Sequence, residues 1–278
     1  MKQRFFRITV ILILAVLALT ACSRNIPVET KQDGYKLAVV SKTVYTVLQV
    51  PAWLLFPPAG ETAVAIALET NKRKPSVQDV AAEFARGSFA LNNSAFAVDP
   101  QEIIRLAEEQ NPAITPSDIK LSLIPDTGFV PAGQEPLTTL AETELPGYKL
   151  YLMGTGNPEI NQDIVRASVD RTPKWCKTQE TTEDDDFVYV VGTAINPLLP
   201  DAWQAAQEIA MQKLGQYRIF KALPDVSQAV SEREKMSIIE RASQNPQASF
   251  AKTWLFHKQV DGNADYSVFI MLKAPRIR

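Results

Sequence analysis

The chain has 278 residues, 46% of them hydrophobic, and a formal net charge of -2, which is length enough for one large domain or two small ones that can each bury a core. No basic block stands beyond the first few residues to neutralise a run of phosphates, which argues against nucleic acid as a partner. The two cysteines, Cys22 and Cys176, are too few for a disulfide framework.

In chain order, Lys2, Arg4 and Arg7 precede an unbroken apolar run from Val10 to Leu19, the charge and hydropathy pattern of a secretory signal peptide. The run is too short for a hydrocarbon core that needs about 20 residues, so a membrane-spanning helix is the weaker reading. Leu19-Thr20-Ala21-Cys22 resembles the lipobox of bacterial lipoproteins. The resemblance implies cleavage after Ala21 and a diacylglyceryl group on the Cys22 thiol; the alternative is an ordinary cleavable signal with a chance cysteine. Ser23 in the place where Asp retains lipoproteins in the inner membrane implies sorting to the outer membrane, facing the periplasm. With Cys22 carrying lipid, Cys176 has no partner and, beside Trp175 and Lys177, reads as a small, partly buried side chain.

Residues 22–34 are polar and aperiodic and read as a lipidated tether. Alternation through Tyr35, Leu37, Val39, Val44, Leu48 and Val50 predicts extended structure, ended by Pro51. Trp53-Leu54-Leu55-Phe56, closed by Pro57-Pro58, reads as a core plug, with contact to a lipid surface as the alternative. A buried strand is expected over 62–68. A helix is expected from Ser76, with Asp79 three residues on and Ala81, Phe84 and Ala85 on one face. Asp99-Pro100-Gln101-Glu102 starts another, which stops near Asn111-Pro112. Residues 121–146, rich in Pro, Thr and Gly, read as loop, and strand alternation resumes from Tyr148 to Met153.

Residues 155–172 read as a linker between a unit at 35–154 and a second at 173–278. The acidic run Glu183 to Asp186 reads as a solvated loop rather than a calcium loop, which needs spaced ligands and a central Gly. The strand after it ends in Gly192-Thr193-Ala194, small residues where a helix or another backbone must come close. Asp201 opens the clearest helix, with Trp203, Ala206, Ala210, Leu214 and Tyr217 forming the stripe that covers a sheet; Gln207 lies off that stripe and reads as exposed. A further helix is expected from Ser231, with Glu234 at its third position, to Asn245-Pro246. Residues 249–260 and 266–272 around Asp261-Gly262 predict a hairpin, with Trp254 and Phe256 on one face and His257 on the other.

The two units align in order: Pro51 and Trp53 with Pro173 and Trp175, Ala65-Ile66-Ala67 with Gly192-Thr193-Ala194, Ala81 and Ala85 with Ala206 and Ala210. Asn111-Pro112 falls against Asn245-Pro246, and Tyr148 to Met153 against Tyr266 to Met271. An internal duplication is one reading of this order and a chance match of common residue types the other. Pro173, Trp175, Gly192, Ala194, the helix with Ala202, Ala206 and Ala210, and Trp254 together resemble the lipoprotein-20 family of bacterial envelope proteins over residues 173–274. The resemblance implies a small α+β domain of a membrane-associated lipoprotein with no established catalytic activity.

The expected fold is therefore α+β, as two small helix-on-antiparallel-sheet units after a lipoprotein signal. Motifs for a nucleophile elbow, a phosphate loop, a dinucleotide site or a zinc helix are absent, and the one histidine, His257, has no carboxylate near it in sequence. No catalytic, cofactor-binding or metal residue is assigned; the site residues are Cys22 for lipid, Leu19, Thr20 and Ala21 for cleavage, and Ser23 for sorting. The expectation is a lipid-anchored, non-enzymatic binding or scaffolding module of the cell envelope, whose partners are envelope proteins or peptidoglycan. A tethered cell-wall hydrolase using two carboxylates and a carrier of small apolar ligands are the alternatives.

Overall fold

The computed structural model describes residues 30–32, 35–37, 43–58, 62–68, 76–109, 111–129, 137–260 and 263–276. The signal segment 1–21, Cys22 and Ser23 lie outside them. Several helices pack against antiparallel sheets in a mixed α+β fold.

The strands are β1 (Thr30–Gln32), β2 (Tyr35–Leu37), β3 (Thr43–Thr46), β4 (Leu48–Pro51), β5 (Thr62–Leu68), β6 (Ala95–Ala97), β7 (Ser122–Ile124) and β8 (Thr138–Leu145), followed by β9 (Tyr148–Gly154), β10 (Ile164–Ala167), β11 (Thr182–Glu183), β12 (Phe187–Asn196), β13 (Ser249–Val260) and β14 (Asn263–Pro275). The helices are α1 (Ala52–Leu55), α2 (Val77–Asn92), α3 (Pro100–Glu109), α4 (Lys174–Thr178), α5 (Leu199–Gln228) and α6 (Glu232–Ser243).

One sheet has the order β5-β9-β8 and a larger one the order β11-β12-β14-β13-β3. In each, a strand lies against the second arm of a hairpin that forms later in the chain. Each hairpin also carries a register shift early in its first arm, between Thr139 and Ala141 and between Phe250 and Lys252. An extra residue there bends the arm and increases its twist.

Local signals place the helices. Ser76 accepts from the Asp79 backbone N–H while the Asp79 carboxylate takes the Ser76 N–H, a reciprocal cap for α2. The Ser76 hydroxyl, which donates to Asp79 Oδ2 at 2.7 Å, and then the Ser76 N–H hold the Asp79 carboxyl below its ordinary pKa. Asp99 receives the Gln101 N–H ahead of α3, and Ser231 receives that of Glu234 in α6.

α5 is the spine of the molecule, 30 residues and about 45 Å long. Trp203, Ala206, Ala210 and Leu214 are all fully buried, and the helix lies across β12 and β14. The approach is closest at Gly192, where a Cβ would stand 1.9 Å from the Ala206 carbonyl oxygen and 2.5 Å from the Ala210 nitrogen. Small residues at that strand end are thus required by a helix backbone lying directly on it. The C-terminal half of α5 packs instead on α3 and α6 through Ile219, Ala222, Leu223 and Val226. There the buried Arg218 donates to the carbonyls of Arg241 and Ala242, so a guanidinium caps the negative end of α6.

Four sequence expectations are revised. Residues 121–146 are not all loop: β7 pairs with β6, and β8 forms a hairpin with β9 through Pro146-Gly147, with Gly147 at φ +84°. The Pro-Gly pair set between alternating segments is the turn signal, and Thr and Glu on the outer face of β8 mask its alternation. The segment 155–172 is more than a spacer, since β10 pairs with β4 and the carbonyls of Asp163 and Asn161 accept the first N–H groups of α1. The tether 22–34 contains β1, which pairs with β2. Finally, the two units share one apolar cluster, which joins Val64, Ile66, Leu150 and Leu152 to Val190, Trp203, Leu255 and Ile270, while the first also has a cluster of its own beneath α2, with Ala63, Ala65, Ala81, Ala85, Phe89 and Tyr151. Trp53, Leu54 and Leu55 are fully buried in that cluster and form a core plug, whereas Phe56, the last residue of the run, is 53% exposed. Thr253 donates to the Leu54 carbonyl and fastens the plug to β13.

Candidate functional site

α2 ends in three polar residues, Asn92, Asn93 and Ser94, all buried. Burying such groups is costly unless each finds a partner; those of Asn92 and Asn93 come from α5, from the Phe89 carbonyl of α2 and from the connection between α6 and β13, while the Ser94 hydroxyl has none among the described residues. Gln207 of α5 donates to the Ser88 carbonyl at 2.8 Å and to Asn92 Oδ1 at 2.7 Å, and its own oxygen accepts from Ser88 Oγ at 2.9 Å. The Ala248 N–H meets the Asn92 carbonyl at 3.1 Å, and Asn245 Nδ2 donates to Asn93 Oδ1 at 3.2 Å.

Two clefts flank this network. The first, about 290 Å³, is lined by Asn92, Asn93, Asn245, Gln247, Phe89 and Phe129, with Thr62 and Ser249 at its sides. The two rings stack with centroids 6.3 Å apart. Asn245 Oδ1 takes the Gln247 N–H at 2.7 Å, a turn that follows the helix-stopping Pro246 and holds Gln247 at φ +51°. A left-handed glutamine is a conformation the surroundings must enforce, and such strain gathers where side chains are aimed at ligands. Amide donors and acceptors beside aromatic faces suit a neutral chain rich in hydroxyls and amides.

The second cleft, about 460 Å³, lies between α2 and α5, and Phe84, Ser88, Gln204, Gln207, Glu83 and Glu208 are among its walls. Gln204 Nε2 donates to Glu208 Oε1 at 2.9 Å. An apolar surface groove of about 440 Å³ runs elsewhere, between the end of α3 and the last turns of α5 around Leu106, Phe220, Leu223 and Pro224.

Gln207 corrects a sequence expectation: it is 1% exposed. It follows Trp203 and precedes Met211 by four residues each, so it lies on a second buried stripe, the one facing α2, which its polarity disguises. Gln207→Ala would strand the Ser88 hydroxyl and the Asn92 amide oxygen, and a loss of about 1–3 kcal/mol is expected in a denaturant titration. Gln204→Ala, on the exposed side, should leave the midpoint nearly unchanged.

The other residues weighed for chemistry are placed as follows. Cys176 is 1% exposed and burial pushes its thiol up to about 12, which keeps it protonated and unreactive at neutral pH. His257 does lie opposite the face of Trp254 and Phe256, pairing across the sheet with Tyr266 and Thr46. Its face is the one shared with α5, however, and its Nδ1 lies 3.1 Å from Thr46 Oγ1 with its ring against Tyr266. In the acidic run, Asp184 receives the backbone N–H groups of Asp186 and Phe187 and the Tyr189 hydroxyl, which together hold its carboxyl below the ordinary value. Among the described residues no group of His, Cys, Asp and Glu is placed to hold a metal ion, and no helix there is long and apolar enough to cross a membrane.

The amide cleft was not legible in the sequence. Asn245-Pro246 reads only as a helix stop and Asn92-Asn93 carries no signal of its own, and Asn93 and Asn245 are 152 residues apart. No family model, curated protein or solved structure matches the chain.

Proposed function

We propose that the chain is a lipid-anchored envelope protein, held in the outer membrane by Cys22, whose cleft at the end of α2 binds a neutral hydroxyl- and amide-bearing chain. Peptidoglycan, with its sugars and peptides, offers both kinds of group. The observation that carries this reading is the lining of that cleft: four amide side chains, a stacked pair of phenyl rings and a left-handed Gln247. Amides and rings recognise neutral polar polymers by hydrogen bonds and face contact. The lipobox supplies the address, and a tethered site meets its partner at raised effective concentration.

A second reading has one specific observation in its favour. Glu83 and Glu208 line the same cleft between α2 and α5, as a carboxylate-dependent hydrolase would require. Such an enzyme also needs its two carboxyls free on either side of the bond to be cut, and Glu208 Oε1 is instead engaged by Gln204 Nε2 at 2.9 Å. Binding is therefore preferred.

The two halves are, on this reading, products of one duplication. Their shared strand order and the matching bulges support it. Counted from the bulges, Ala65 corresponds to Gly192, as the sequence alignment has it, while Tyr148 falls against Ser267 and not Tyr266. On the same reading the second half is related to the lipoprotein-20 family, a proposal supported by the sequence resemblance at Gly192 and the alanines Ala206 and Ala210.

The anchor is tested by metabolic labelling with a fatty acid. Wild type should take up label and stay in the membrane fraction through a high-salt wash, since each buried CH₂ of the acyl chains contributes about 0.8 kcal/mol. Cys22→Ala should take up none and remain uncleaved; label on that variant would refute the anchor.

A further inference from the structure

Lys213, Tyr217 and Lys221 recur at every fourth residue of α5 and so share a face of it. That face lies beside β11 and β12: Lys213 Nζ donates to the Val191 carbonyl at 2.8 Å, and the Tyr217 hydroxyl donates to Glu183 Oε2 at 2.6 Å. Lys221 Nζ stands 3.2 Å from Glu183 Oε1, and Arg276 Nε 3.6 Å from Oε2. Next to them Arg218, 9% exposed, gives its Nε and Nη2 to the α6 carbonyls at 3.2 and 3.5 Å. Its Nη1 takes part in neither bond. Burial holds the pKa of this guanidinium below the ordinary arginine value, and among the described residues no carboxylate is ion-paired with it.

Arg218, Lys221, Arg276, Tyr217, Glu183, Val188 and Pro275 enclose a pocket of about 150 Å³. Three cations and one carboxylate thus line the pocket, and at its edge Arg276 Nη1 also donates to the Asp184 carbonyl at 2.9 Å, with the Asp184 carboxylate nearby. A guanidinium has five N–H donors in a fixed fork, so most of Arg218's remain after two are spent on carbonyls. A buried cation with donors to spare, flanked by two more cations, is the arrangement that binds carboxylate or phosphate oxygens. The volume suits one such group and not a nucleotide.

We propose that this pocket is an oxyanion site that takes a phosphate or carboxylate group of a ligand, with Arg218 as its buried anchor, Lys221 and Arg276 as its outer contacts, and Glu183 as the internal carboxylate that the ligand displaces. Glu183 then serves as a stand-in: it keeps Lys221 and Arg276 in place when the site is empty and sets a threshold that a weak anion does not pass. The site is separate from the amide cleft and does not depend on its function.

The test uses the chain from residue 23 onward, which contains every described element, titrated with inorganic phosphate and with acetate at constant ionic strength and followed by calorimetry and by the Tyr217 ring resonances. Saturable binding in the millimolar range is expected, corresponding to about 4 kcal/mol. Lys221→Ala with Arg276→Ala should weaken it about tenfold or more, and Glu183→Gln, which keeps the shape of the side chain and removes its charge, should tighten it. Because these side chains lie at the surface, circular dichroism should show both variants folded. Vesicles of phosphatidylglycerol, with phosphatidylcholine as control, separate the two sources: binding to the former that free phosphate competes away marks a lipid headgroup, and phosphate binding without vesicle binding marks a soluble anion. No saturable binding of either anion, or binding unchanged in the double variant and in Glu183→Gln, would overturn the proposal.

Discussion

Gly192→Ala is expected to be severely damaging, costing about 3 kcal/mol or more and leaving little folded protein. A methyl group there would stand 1.9 Å from the Ala206 carbonyl oxygen and 2.5 Å from the Ala210 nitrogen, and both are helix backbone, which no rotamer change moves aside. Overpacking ordinarily costs about 1–3 kcal/mol because side chains yield; here α5 would have to lift from β12 along with the core beneath it. Gly87→Ala is the matched control, since a Cβ there meets nothing within 4 Å and alanine is the better helix former by about 1 kcal/mol. Guanidinium titrations should show the first variant unfolded or greatly weakened and the second unchanged or slightly stabilised.

Trp203→Ala should cost about 3–5 kcal/mol, the range for deleting a large aromatic side chain from a core. Trp203 is fully buried and its ring lies 6.2 Å from that of Phe250 on the sheet beneath. Its indole N–H has no hydrogen-bond partner, so the residue contributes through packing while bearing an unsatisfied donor. Trp203→Phe should therefore cost clearly less than Trp203→Ala, because it keeps a ring and removes the orphan. Equal losses in the two variants would mean that volume at this position matters less than the contacts imply.

Period and capping made much of this fold readable. Ser76 with Asp79 and Ser231 with Glu234 announce helices that form where expected, and the small residues at Gly192 announce a backbone contact that exists. What stayed hidden is non-local or two-sided. Gln207 is polar and still faces inward, because α5 is buried on one side by a sheet and on another by α2, and a helical wheel allots a surface helix one buried face. β8 hides its alternation behind Thr and Glu, and β10 is short and bordered by polar residues, so its pairing with β4 comes from tertiary contact and not from composition. The amide cleft depends on Asn93 meeting Asn245 and on Asn92 meeting Gln207, pairings that only the folded chain creates. The reading of Cys22 is the opposite case, since it rests on four neighbouring residues, Leu19 to Cys22, and draws on no tertiary contact.

Co-sedimentation with purified peptidoglycan, measured together with the release of soluble fragments, tests the proposed function most directly. The chain from residue 23 should pellet with the polymer and release nothing from it. Asn245→Ala with Gln247→Gly, which strips two amides from the cleft and relieves the left-handed backbone, should lose that retention while remaining folded. Failure of the wild type to pellet, or retention undiminished in the variant, would contradict the assignment of the cleft. Release of soluble fragments that Glu83→Gln and Glu208→Gln abolish would show instead that the cleft between α2 and α5 is the seat of a hydrolase.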